Sequence, residues 1–250
     1  MIKPLLSKIK PTSGFSHFLH NLLQVALPVA VFVMVRLEFA ALALAVVILS
    51  KWRMIAVRPR FWAANIRANS VDLMVGISVV LFMVNSDSLM IQTIWTALYI
   101  VWLLFIKPAR SSLMVMFQAF IAQFVALSAL YLVWTDGPSA GLTLFTGLIC
   151  FFAARHFFDT FNEPYARMLS YSWGYFGAAL AWLLSHWLLF YVVVAQPTLI
   201  LSTIGYGLAV LYYLDHTERL SKGVRQQFIF VMLAIILVVL AFSDWGDQVI

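Results

Sequence analysis

Lys51-Trp52-Arg53-Met54-Ile55-Ala56-Val57-Arg58-Pro59-Arg60-Phe61-Trp62 is the stretch whose reading decides this fold. Cations and aromatic rings are interleaved through it, and Arg67 adds charge to the same 52–69 segment. That composition suits a segment lying at a bilayer surface, with rings at the interface and charges toward phosphate. The chain is apolar on both sides of it. A single helix over 17–51 would be about 52 Å long at 1.5 Å per residue, too long for one crossing of a ~30 Å hydrocarbon layer. Two spans joined at Arg36-Leu37-Glu38 fit instead, and they return the chain to the side on which it began.

Working outward gives about nine spans: 17–35, 39–51, 71–85, 89–106, 111–134, 139–155, 166–194, 198–214 and 226–243. The expected fold is all-α, a polytopic helical membrane protein in a single domain over 1–250. The second span is short, and the first contains Pro28, which predicts a kink. Ser70 is expected to cap the third span and to place Asp72 in its first turn, where the helix dipole favours an anion. Asn85-Ser86-Asp87-Ser88 and Thr135-Asp136-Gly137-Pro138 are expected turns. Trp52, Trp62, Trp134 and Trp245 fall at predicted boundaries, as an aromatic belt requires.

With those spans, Lys and Arg are sorted by side. All of them except Arg36 lie in the N-terminal tail or in alternate loops, whereas Glu38, Asp87, Asp136, Asp244 and Asp247 lie in the opposite loops. Basic loops stay inside during insertion, so the expected orientation has the N-terminus cytoplasmic and the C-terminus external. The expected location is a cytoplasmic membrane of the bacterial kind. A chain that is 64% hydrophobic and 10% charged cannot bury itself as a soluble domain of this length. The net charge of +6 flanks spans, which argues for anionic headgroups as partners and against nucleic acid. The lone Cys150 sits in an apolar run and reads as packing. No cleavable leader is expected, because the apolar run after the basic tail has no small-residue cleavage site.

Absences exclude several classes. No span carries a lysine in its interior for a Schiff base, Lys51 standing at the very end of the second, and there is no Cys-x-x-Cys-His, Gly-x-Ser-x-Gly, phosphate loop or Arg-rich voltage-sensing helix. No internal repeat marks a two-fold transporter.

Three features remain as candidates. Ser170, Gly174, Gly177, Ala181 and Ser185 form a stripe of small residues, expected to pack against the eighth span, where Ser202, Gly205 and Ala209 offer a matching seam. Lining a substrate path is the alternative role for that stripe. His156, Asp159 and Glu163 share a face at the inner end of the sixth span, and Asp215 and His216 return at the same level. His and carboxylate groups together suit a zinc- or iron-like metal or a proton relay; a solvated rim paired with Arg155, Arg167 and Arg219 is the plainer reading. Gln118, Gln123 and Gln92 are candidate path-lining groups within the bilayer, with Gln24 and His186 also at depth. Three functions follow as expectations: a permease or channel-like protein for a small or lipid-like substrate, a structural subunit packing on another membrane protein or on its own copy, and an enzyme at the inner rim. The sequence names no cofactor.

Overall fold

The computed structural model describes residues 14–134, 137–185, 190–191 and 194–243, with the side chains of 14–20 and 190–191 outside the described set. The N-terminal lysines, the side chains of His17 and His20, and Asp136, His186, Asp244, Trp245 and Asp247 therefore lie outside the described residues. Nine α-helices account for most of what is described: α1 (Gly14–Arg36), α2 (Ala40–Leu49), α3 (Trp62–Val84), α4 (Leu89–Val101), α5 (Ser112–Val133), α6 (Ser139–Thr160), α7 (Ala166–Leu184), α8 (Gln196–His216) and α9 (Lys222–Phe242). A π-helical turn, Trp102–Ile106, extends α4. Phe190–Tyr191 pairs antiparallel with Val194–Ala195.

Among the described residues six helical segments are long and apolar enough to cross a membrane, fewer than the nine expected: Pro59–Val84, Leu89–Ile106, Ser112–Val133, Ser139–Thr160, Gln196–His216 and Lys222–Phe242. The shortfall has three causes. Helix α2 has ten residues, which rise only about 15 Å. Helix α1 is 23 residues long, but its side chains are described only over Asn21–Arg36, which is shorter than a span. Helix α7 has 19 residues, but Ser, Tyr, Trp and Gly replace aliphatic residues over much of its length. It also ends at Leu184, ten residues short of the expected span.

The third span is corrected at its start. Helix α3 begins at Trp62, because Asn65, Arg67 and Asn69 are accommodated within the helix. Ser70 is therefore not a cap: it is buried mid-helix and donates back to Arg67 O at 2.8 Å. Asp72 sits eleven residues into α3 rather than in its first turn. Side-chain caps occur elsewhere, at Ser88, Ser111 and Ser221.

Two cores form. One joins α1 to α4 around Val31, Val47, Val75, Met83, Tyr99 and Trp102. The other runs through α5, α6 and α8 around Leu127, Tyr131, Cys150 and Leu201, continuing to Met116, Phe157 and Val210. Helix α3 packs on α5 and α6 and so joins the halves. Contacts sort the helix ends into two levels. Lys51, Arg67, Lys107, Gln118, Arg155, Asp159, Glu163 and Tyr212 interact at what we call the basic end. Arg36, Ser86 and Gln92 interact at the other end, where Gln196 also meets Ser243. Arg36, the one cation out of pattern, donates to Gln92 Oε1 there at 3.4 Å.

Candidate functional site

Near the basic end Asp72 is 7% exposed, and Lys51 and Lys107 both reach the same carboxylate oxygen. Trp102 Nε1 donates to its other oxygen at 2.9 Å. Residues 102 and 107 would point about 140° apart on a regular α-helix. The wider π turn between them, closed by Lys107 N donating to Trp102 O at 2.9 Å, lets both meet Asp72. A carboxylate in a low-dielectric site requires paired charge, and here two cations supply it. Asp72 was legible as an acid within a span, which is costly unless partnered. Its partners were not, because they come from the ends of α2 and α4.

The five rim residues do not assemble as a ligand set. His156 Nε2 lies 3.0 Å from Gln118 Oε1. Asp159 pairs with Arg155 at 2.8 Å and with Arg67 at 3.6 Å. Glu163, just after the left-handed turn at Asn162, accepts from Tyr212 at 2.5 Å. Asp215 and His216 are exposed, with His216 stacked near Tyr212 and edge-on to Phe161. Among the described residues no three His, Cys, Asp or Glu side chains gather where a metal ion could sit.

The three glutamines do not share one path. Gln92 donates to Met83 O and Ser86 O at the far end, closing the α3–α4 turn. Gln118 donates to Ile106 O at 2.6 Å and Ala109 O at 2.9 Å, satisfying carbonyls where α4 ends. Gln123 is different. It accepts from Trp173 Nε1 at 3.0 Å, donates to Leu201 O at 3.1 Å, and borders a cavity.

That cavity, of about 530 Å³, lies among α5, α6, α7 and α8. Phe120, Phe157, Phe158, Phe176, Tyr206 and Tyr212 are among the rings that line it. It exists because the small-residue stripe packs elsewhere than expected. Ser170, Gly174, Gly177 and Ala181 are buried, but against α6: a Cβ on Gly174 would stand 2.9 Å from Gly147 O, and one on Gly177 2.7 Å from Cys150 Sγ. Ser185, the fifth member, only donates back to Trp182 O. Helix α7 lies along α6 and meets α8 sparsely, so the expected α7–α8 hairpin is replaced by a gap. Gly205 on α8 faces that gap, where a Cβ would meet the Trp173 ring at 3.0 Å and Gln123 Nε2 at 3.1 Å. The cavity was hard to foresee because its aromatic lining is interspersed in the sequence with outward-facing aromatics such as Phe117, Tyr171 and Tyr175.

The chain matches no family model, no curated protein and no solved structure.

Proposed function

We propose that this chain is a multi-pass integral membrane protein, of permease-like character, that takes a hydrocarbon-rich, lipid-like molecule into the cavity among α5, α6, α7 and α8. The cavity carries the reading: about 530 Å³ of aromatic-lined space between helices falls within the range of ligand sites. Its sparse polar groups argue against a hydrated ion path. In this proposal α1 and α7 cross as well, and the chain over 37–51, of which α2 is only the helical part, returns from Arg36 at the far end to Lys51 at the basic end. The basic end then faces the cytoplasm, and the C-terminus is external in a bacterial cytoplasmic membrane. Native purification followed by mass spectrometry of extracted lipids tests the substrate reading. The expected result is a bound hydrocarbon-rich molecule that is lost when Ala209→Trp fills the cavity. Equal retention by that variant, with the fold intact, would overturn it.

A second reading, an assembly subunit, is supported by α9. This helix is the most apolar of the candidate spans, yet only 6% of its apolar window is buried. A partner helix or a second copy would cover it, and blue-native electrophoresis in mild detergent would show that larger species.

A further inference from the structure

We infer that the cavity selects a neutral amphiphile, one whose uncharged hydrogen-bonding head docks at the Gln123–Ser202 end with its chain running toward the basic end. The inference rests on the lipid-like reading above. Thr198, Ser202, Gly205 and Ala209 are spaced four, three and four along α8, so they form one stripe. Gly205 and Ala209 line the cavity, and the same stripe carries Ser202 and Thr198 beyond its end. Thr198 is 0% exposed and Ser202 4% exposed, and neither hydroxyl has a hydrogen-bond partner among the described residues.

Buried hydroxyls are nearly always paired, so two unpaired ones on a cavity stripe point to a polar group that the protein atoms do not supply. Gln123, at the same end, keeps a second amide hydrogen after donating to Leu201 O. Of these groups the Gln123 amide borders the cavity and the two hydroxyls continue from it along the same face of α8, and all three are uncharged. No Lys, Arg, Asp or Glu occurs in 116–123, 169–176 or 196–212, which form most of the cavity wall and its continuation. Arg155 is on α6 beside the lining residues Ala154 and Phe157, at the basic end. Its Nη2 pairs with Asp159, while its Nε and Nη1 are buried without a partner among the described residues. This cation is therefore at the opposite end from Gln123 and Ser202. An ionised head would find no counter-charge at this end and would keep its desolvation cost. A hydroxyl or carbonyl head would satisfy the orphaned groups, and the aromatic wall would cover its chain.

Binding of tritiated hexadecan-1-ol to the purified full chain in nanodiscs, with competition by unlabelled hexadecan-1-ol, hexadecane and palmitate at pH 8, tests this. The alcohol should compete about tenfold better than the alkane, the scale of one or two neutral hydrogen bonds. The Thr198→Val, Ser202→Ala double variant should lose that tenfold preference while binding the alkane as before. The hydroxyl-preserving pair Thr198→Ser, Ser202→Thr should keep it, and Ser202→Ala alone should lower it if the double variant does not fold. Equal competition by alcohol and alkane in the parent, or palmitate outcompeting both, would overturn the head-group inference and leave the cavity reading standing. Binding of none of the three would overturn both.

Discussion

Replacing Asp72 by Asn is the sharpest probe of how the basic end is held. The substitution keeps the side-chain shape and leaves Oδ1 to accept from Trp102 Nε1, now at 2.9 Å. It removes the one negative charge that Lys51 and Lys107 share. Breaking a buried ion pair by removing one partner typically costs about 3–5 kcal/mol, because the remaining charge stays desolvated. The two lysines do not contribute equally. The Lys107 side chain is 36% exposed and can turn toward solvent, whereas that of Lys51 is 12% exposed and cannot. The loss should therefore sit near the lower end, about 3 kcal/mol, and arise chiefly from Lys51. By the scaling of soluble domains of this length, that is about 6–12 °C in melting temperature. Lys51→Met alone should cost less, since Asp72 would retain Lys107. The double variant Asp72→Asn, Lys51→Met should then be more stable than Asp72→Asn, because the stranded ammonium is gone. Thermal melts in one detergent across the four proteins measure this cycle. Two results would refute the reasoning: Asp72→Asn melting with the parent, or Lys51→Met failing to rescue it.

Gly174→Leu should destabilise by about 1–3 kcal/mol through overpacking, since its backbone faces Gly147 O across a closed seam. Trp173→Leu should melt closer to the parent but retain less bound lipid, because Trp173 borders the cavity and donates to Gln123; equal melting losses would place the stripe outside the α6 contact. Gln118→Leu should lower stability by about 2 kcal/mol, the scale of buried carbonyls left unpaired, and His156→Ala should cost less because it removes a single partner of Gln118. His216→Ala should be neutral in the same melt, as expected of an exposed ring. Reporter fusions within 52–69 and after Ile250 should show cytoplasmic and external signals respectively; a cytoplasmic signal after Ile250 would remove one crossing from the proposed topology.

The helical class and most element positions were legible because hydrophobic run length is a one-dimensional signal. The expected spans at 89–106, 111–134 and 139–155 lie on α4 with its π turn, α5 and α6. The start of α3 was not legible in the same way. Its first turns hold Asn65, Arg67 and Asn69, which interrupt an apolar run without interrupting a helix. The small stripe on α7 was legible as a packing face, since small residues at helical spacing permit close approach. Its partner was not, because the sequence carries two suitable faces, one on α8 and one on α6 around Gly147 and Cys150, and extending the seventh span to 194 and ending the sixth at 155 put α8 nearer in the chain than α6, the reverse of the connections observed. The rim residues were legible as a group on one side. Their assignment to separate partners depends on which arginine, tyrosine or amide each helix end brings within reach.

The features that keep α7 below the apolarity of the other spans also make the cavity. A helix of uniform leucines would have no reason to prefer α6 over α8 and would close on both. In α7 the faces differ. Ser170, Gly174, Gly177 and Ala181 present almost no side-chain bulk, so α6 approaches to backbone contact. Trp173 and Phe176, stacked on each other at 5.4 Å, present the most bulk toward the gap. The indole is braced by its bond to Gln123, which is itself tied to the α8 backbone at Leu201. Trp173 thus links α7 to α5 and α8 while holding α7 away from α8. Gly205 completes the arrangement by leaving room for the ring, so a larger residue there would meet both Trp173 and Gln123. Packing against α6 and standing off from α8 are therefore two consequences of one helix's asymmetry, and the open space follows from both.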